Sequence, residues 1–274
     1  MHTLWHKAIA DLGLSKSRSL LAVASMAAGV FCVGVLFGMI DLQLSQMDAA
    51  HRLSQPSHIN LILRGDADMA LLAKVKALPG VAAVDTQTPV SVRFRRSDAA
   101  AWELATLIVR ADYAAQRFDK ISLDTGRWPS AGQIAVENLS ARYTGLRIGD
   151  SLELETKAGN RRVAIGGVVR HPFVKPPKFG GQLHFFTDPA GAAGFGVSEH
   201  TFRQLLLQVT PPYSEDKARA VASEASGLLS KHGITVNVTL LQDPEKHWGR
   251  PFMAGINGVL QIMAMVSLVL ASVL

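Results

Sequence analysis

The residue types that carry chemistry in proteins are present in this chain, but not in catalytic spacing. The sequence contains no Gly-x-x-x-x-Gly-Lys phosphate loop, no Gly-x-Ser-x-Gly and no His-Glu-x-x-His. Its nine histidines are dispersed without the spacing of metal ligands. Glu153 and Glu155 alternate along a predicted strand, so both are expected to face solvent. We therefore expect no catalytic, cofactor-binding or metal site, and we expect that the chain is not an enzyme.

Basic side chains form small groups, which we list as Arg93, Arg95 and Arg96, then Arg161 and Arg162, then Lys175 and Lys178. One interpretation is that these groups mark solvated strand edges, where charge prevents edge-to-edge association. The other is that they contact an anionic partner or a lipid headgroup, and we favour the first. The net charge of +6 is spread over the chain without a recognised nucleic-acid motif, so nucleic acid is not an expected partner.

Two uncharged apolar stretches bracket the chain, at 20–40 and 252–274. At about 1.5 Å per residue, a helix over either stretch is about 30 Å long, which matches the hydrocarbon core of a bilayer. We predict a transmembrane helix for each stretch and a large extramembrane domain over 41–251. No charged residue, Trp or Tyr follows Arg250, so we expect the natural chain to continue into further spans.

Charge placement predicts the orientation of the spans. Lys16 and Arg18 precede the first stretch, whereas Asp41 and Asp48 follow it, and positive charge favours the cytoplasmic side. We therefore predict a multi-pass protein of the inner membrane with a cytoplasmic N-terminus and a periplasmic middle. A cleaved signal peptide is not favoured, because the apolar run is longer than a typical signal core. The only cysteine, Cys32, lies within the first span, so no disulfide within the chain is expected.

Weaker patterns accompany the two spans. Apolar residues in 3–14 recur at helical spacing, which predicts an amphipathic helix on the cytoplasmic membrane surface within a cytoplasmic segment 1–19. Gly34 and Gly38 form a small-xxx-small pattern that suits close helix packing. Asn257 and Gln261 lie one turn apart, and they either bond to a neighbouring helix or lie near the outer interface.

The middle of the chain predicts an α+β domain. A helical extension is predicted over 41–53. It is followed by a strand, a helix and a strand at 58–63, 68–78 and 84–94. The same order recurs at 202–209, 215–231 and 234–240. We expect the two β-α-β units to pair in one sheet as a split α/β sandwich. Short strands at 134–136, 151–156 and 162–169 predict a small β-rich subdomain inserted at about 124–182. The Pro-rich stretch 171–177 predicts an extended connector.

Three segments in this middle region resemble a known family. They read Asp124-Thr-Gly-Arg-Trp-Pro-Ser-Ala-Gly-Gln-Ile-Ala-Val-Glu-Asn, Tyr143-Thr-Gly-Leu-Arg-Ile-Gly-Asp-Ser-Leu-Glu-Leu and Ala164-Ile-Gly-Gly-Val-Val. Their order and spacing resemble the periplasmic core domain of MacB/LolC/FtsX-type ABC transporter permeases. Gln133 departs from the Glu that is frequent in that family. Gly126, Pro129 and Gly149 suit tight turns, so the matching residues are expected to support the fold.

The resemblance implies a function that the residues alone do not. It implies a permease subunit that transmits the ATP-driven motion of a cytoplasmic ABC ATPase to a periplasmic domain, with ATP bound by that partner and no cofactor in this chain. It further implies a second permease chain as homodimer or heterodimer, a periplasmic adaptor or lipoprotein partner, and contact with membrane lipid. The alternative is a two-span receptor, such as a sensor kinase or chemoreceptor, with a periplasmic ligand-binding domain.

Overall fold

The computed structural model describes residues 16–130, 132–156 and 159–273. The amphipathic helix predicted at 3–14 lies outside these ranges. The chain divides into two compact units, one formed by 1–49 and 247–274 and the other by 50–246. The helices are α1 (Lys16–Leu53), α2 (Ala70–Lys76), α3 (Asn138–Thr144), α4 (Pro189–Ala192), α5 (Glu215–Lys231) and α6 (Arg250–Val273). The strands are β1 (Ile59–Asp68), β2 (Val81–Arg95), β3 (Glu103–Val109), β4 (Ser122–Gly126), β5 (Gln133–Glu137), β6 (Ser151–Thr156), β7 (Gly159–Arg170), β8 (Leu183–Thr187), β9 (Thr201–Val209) and β10 (Val236–Leu241).

Among the described residues, two helices, α1 and α6, are long and apolar enough to cross a membrane, and α6 and most of α1 lie in the first unit. Their large apolar side chains are mostly exposed, including Phe31 and Ile262. Such exposure is unfavourable in water, which distinguishes these helices from the core helices of a soluble domain. At 38 residues, α1 is about 57 Å long, so it extends well past the hydrocarbon core that 20–40 would fill.

The two helices of this unit contact each other at two levels. An ideal Cβ placed on Gly29 would lie 3.1 Å from Leu268 Cδ1, so the missing side chain lets α6 approach α1 closely. At the other level, the Asp48 carboxylate accepts hydrogen bonds from the His247 N–H at 3.0 Å and from the Arg250 guanidinium. From Gly29 to Asp48 the α1 chain advances by 19 residues, whereas from Leu268 to Arg250 the α6 chain goes back by 18, so α1 and α6 run antiparallel.

The second unit begins with an antiparallel sheet in the order β10-β1-β9-β2. It joins the two β-α-β units, β1-α2-β2 and β9-α5-β10, which the sequence pattern predicted. Both helices pack on one face of the sheet, over a core that includes Leu61, Val75, Leu205 and Ala225. Helix α5 has the predicted bounds, and its N-terminus is capped by Ser214, whose hydroxyl accepts from Lys217 N–H.

A second sheet continues from the first through β2. Its first half, up to Gln87, pairs with β9, and its second half, from Thr88, pairs with β3. The order then runs β3-β8-β5-β7, and β6 pairs with both β7 and the end of β2, which closes a six-stranded barrel. Its interior is filled by aromatic and branched side chains such as Phe94, Leu154 and Phe185. The strands of the barrel come from residues 88–187. The limits of about 124–182 for an inserted β-rich subdomain stay a prediction.

Candidate functional site

The basic cluster singled out from the sequence lies on the barrel surface and is paired. Arg93 contacts Glu155 at 3.3 Å, and Arg95 bonds to Glu153 on the neighbouring strand β6. Both guanidinium groups also lie over the Trp102 ring, at 5.4 and 4.8 Å from its centroid. The two carboxylates are therefore partners of the arginines, and this cluster supports the interpretation as a charged strand surface.

The histidines do not assemble into a metal site in the part of the chain that the structure describes, where no group of three or more His, Cys, Asp or Glu comes together. His171 and His184 do stack, with ring centroids 6.4 Å apart. Burial lowers the pKa of His171 to about 3, and the neighbouring His184 and Arg110 act in the same direction. Burial lowers the pKa of His184 as well. Both rings are therefore neutral at pH 7.

The three motif segments meet one another around β7. Gly126 has φ +85°, and a Cβ there would overlap the backbone of Gly166 and Gly167. The N–H of Gly149 donates to Ile165 at 2.9 Å, and Ile165 N–H donates back to Asp150 at 2.9 Å. These residues close turns and allow close backbone approach, as the sequence analysis expected.

Within the second unit, the segment that directly follows α1 is held by a set of hydrogen bonds that we call the exit clamp, formed by residues 54–57 and 119–120. Asp119 N–H donates to the Gln55 carbonyl at 3.0 Å, and Lys120 N–H donates to the Ser54 carbonyl at 2.8 Å. In return, the Asp119 carboxylate accepts from the N–H and the hydroxyl of Ser57, each at 2.9 Å. Four hydrogen bonds, two of them to a carboxylate, thus hold the chain directly after α1 against one loop.

Two buried charges lie at this clamp. Asp119 is 2% exposed, and burial raises the pKa of its carboxyl, while the Ser57 bonds and Arg110 lower it. Arg110 is 3% exposed and bonds to Gln87 Oε1, Gln116 Oε1 and the Phe118 carbonyl. Burial lowers the pKa of Arg110, and Asp85 and Asp119 oppose that shift. An unpaired buried charge is costly, so the Asp119 carboxylate and the Arg110 guanidinium stabilise each other.

Arg110 continues the clamp into the first sheet through a chain of side-chain amides. Its Nε donates to Gln87, Gln87 donates to Gln204 at 3.0 Å, and Gln204 donates to Asn60 at 2.8 Å. All four side chains are buried, and they cross strands β2, β9 and β1 on the face opposite to the helices. A displacement of the clamp would therefore disturb a hydrogen-bonded row that crosses three strands.

The segment that follows β10 is fixed close to the end of α1 as well. His51 Nε2 bonds to the Asp243 carbonyl at 2.8 Å, and its ring meets Phe173 edge to face at 5.7 Å. Gln242 N–H donates to the His58 carbonyl at 2.9 Å. Within this unit, the chain after α1 and the chain approaching 246 are thus tied to each other.

Sequence reasoning did not identify Ser57, Arg110 or Asp119. No motif surrounds these three residues. Ser57 and Asp119 lie 62 residues apart in the sequence, and the position of Arg110 depends on where β3 ends. The one signal in the sequence was the break at Gln55-Pro56, which marked where the helical extension ends.

Comparison with solved structures finds likenesses to this domain at low identity. The extracellular domain of the noncanonic ABC-type transporter YknZ from Gram-positive bacteria is 14% identical, with 68% of this chain and 100% of that one covered and a TM-score of 0.43. The periplasmic region of MacB from Actinobacillus actinomycetemcomitans is 9% identical, with 70% and 91% covered and a TM-score of 0.45. A domain of a putative permease protein from Porphyromonas gingivalis is 16% identical, with 66% and 85% covered and a TM-score of 0.40.

One of these three structures is from MacB, a member of the family that the sequence motifs resemble. No family model matches the chain, and no curated protein matches it. With every TM-score below 0.5, the overlaps are likenesses only, and a functional assignment depends on the chain's own motifs and elements.

Proposed function

We propose that this chain is a permease subunit of an ABC transporter of the MacB/LolC/FtsX type. The observation that carries the proposal is the combination of two candidate spanning helices with a mixed α/β domain between them. The three motif segments, which meet at β7, support the same class. In this reading the sheet with α2 and α5 on one face is the split α/β sandwich of the periplasmic core domain.

The proposed mechanism is mechanical transmission. A separate cytoplasmic ATPase binds ATP, the spans move, and α1 transmits the motion to the domain at the exit clamp. Helix α1 suits this role because it is one uninterrupted helix from Lys16 to Leu53, and its last residues lead straight into the clamp. The chain itself binds no ATP in this scheme and catalyses no reaction.

Topology and partners belong to the same proposal. The N-terminus is cytoplasmic, residues 41–251 are periplasmic, and the protein resides in the inner membrane. A second permease chain completes the transporter, and the domain acts on a lipoprotein, peptide, drug or cell-wall partner. No described feature favours the alternative of a two-span receptor.

Recovery of the partner ATPase tests this proposal. The natural full-length protein, tagged and purified from its own membranes in mild detergent, is expected to bring with it a P-loop ATPase identified by mass spectrometry. A tagged two-span receptor from the same membranes serves as the control. Intact protein without any ATPase above the control level would argue against the permease role.

A further inference from the structure

A cavity of about 560 Å³ lies beside the exit clamp. Its wall includes Arg52, Gln55, His58, Arg117, Lys120 and Glu245. The volume is within the range of small-molecule sites in proteins. Neither the motifs nor the proposed transmission mechanism accounts for this cavity.

The charges of the wall are strongly unequal. Arg52, Arg117 and Lys120 are cationic, and Glu245 is the one carboxylate, which lies 3.7 Å from Arg52. Neither Arg117 nor Lys120 has an ion-pair partner among the residues that the structure describes. Asp119, which lies between these two cations in the sequence, bonds to Ser57 instead. The cavity wall therefore carries two cationic side chains that form no ion pair among the described residues.

The backbone holds these two cations in place from separate directions. Lys120 N–H donates to the Ser54 carbonyl at 2.8 Å, and Arg117 N–H donates to Asp85 Oδ2 at 3.1 Å. Phe118, between them, is buried. The main chain is already fixed at both positions. An anion that binds between the side chains therefore has a smaller entropic cost of ordering the protein.

Neutral donors complete the wall. His58 Nδ1 accepts from Val209 N–H at 3.2 Å, which leaves the ring proton on Nε2, and that N–H has no partner among the described residues. Burial lowers the pKa of His58, so the ring is neutral at pH 7. The Gln208 amide also lines the cavity and makes no side-chain hydrogen bond in the described part of the chain.

We propose that this cavity binds a phosphate group. A guanidinium, an ammonium and neutral N–H donors around one space form the set of contacts that phosphate oxygens accept. The phosphate is carried either by an anionic lipid or by a soluble phosphate compound. The proposal does not depend on the permease role.

Binding of two probes to the full chain in lipid nanodiscs tests this site. One arm titrates glycerol 3-phosphate into phosphatidylcholine nanodiscs by calorimetry, and the other counts phosphatidylglycerol molecules retained after detergent extraction by native mass spectrometry. The test variant is R117Q/K120Q, and R142Q/K178Q is the matched control, since it removes two exposed cations outside the cavity.

We expect saturable binding of at least one probe to the unmodified chain. This binding should fall at least about tenfold in R117Q/K120Q and less than about twofold in R142Q/K178Q. Binding of glycerol 3-phosphate alone identifies a soluble ligand, and retention of phosphatidylglycerol alone identifies a lipid. The proposal is overturned when neither probe binds the unmodified chain, or when both double variants lose binding equally.

Discussion

At the scale of single residues, the motif glycines perform two separable tasks. Gly126 and Gly149 both have positive φ, at +85° and +94°. A Cβ on Gly126 would overlap the backbone of Gly166 and Gly167, whereas a Cβ on Gly149 would meet no atom within 4 Å. Gly149 thus provides only backbone freedom, while Gly126 also provides space for β7.

This difference predicts unequal costs for alanine. Gly149→Ala should lower the free energy of unfolding by about 1 kcal/mol, the cost of a left-handed alanine. Gly126→Ala should cost about 3 kcal/mol or more, because backbone atoms cannot move aside as a flexible side chain can. Denaturant titration of the full chain in detergent, followed by tryptophan fluorescence, measures both. Equal costs would contradict the close approach at β7.

The histidines whose pKa is lowered predict acid sensitivity. The folded-state pKa of His171 is about 3 and the ordinary value is 6.5, so the stability that the neutral ring contributes is present above about pH 6.5 and lost as the pH falls towards 3. Between pH 7 and pH 5 this amounts to at most about 2 kcal/mol, and His58 and His184 act in the same direction.

The variant His171→Asn should retain an acceptor for Phe173 N–H, which now donates to His171 Nδ1 at 3.1 Å. Its free energy of unfolding should therefore fall less steeply between pH 7 and pH 5 than that of the unmodified chain. His200→Asn, at an exposed histidine, should leave the slope unchanged. A slope in His171→Asn as steep as in the unmodified chain would show that this ring is not the sensor.

At the scale of elements, the exit clamp is the connection on which the proposed mechanism depends. Ser57→Ala removes one hydrogen bond to the Asp119 carboxylate, and Asp119→Ala removes both. In a double-mutant cycle we expect the two changes to be non-additive by about 2 kcal/mol, since they share a charge-assisted bond. Hydrogen exchange at 54–57 should rise in both single variants. Additive costs with unchanged exchange would show that the clamp does not hold this segment.

Periodicity predicted the elements that have a clear pattern and missed those that have none. Helix α5 and strand β6 have the predicted bounds, and the predicted helix over 68–78 is shorter as α2. Strands β3 and β8 were not identified, although they are parallel neighbours in the wall of the barrel. They are short, their residues are mostly buried or half-buried without a clear alternation, and their pairing joins residues nearly 80 positions apart. The clamp was missed for the same reason, since its partners are distant in the sequence.

At the scale of the whole molecule, one continuous helix, α1, is the proposed route of transmission. The extension that the sequence predicted at 41–53 is part of the same helix as the first span. In the proposed mechanism, a movement of the span passes along this helix to residues 54–57.

The most direct test of this transmission is hydrogen exchange of the full-length protein reconstituted with its partner ATPase. The ATPase is trapped with ATP and vanadate, or left without nucleotide. We predict a nucleotide-dependent change in exchange at 54–57 and 117–120, and its loss in Asp119→Ala while ATP hydrolysis continues. Unchanged exchange in both segments, with an active ATPase bound, would contradict the claim that α1 and the exit clamp transmit the motion.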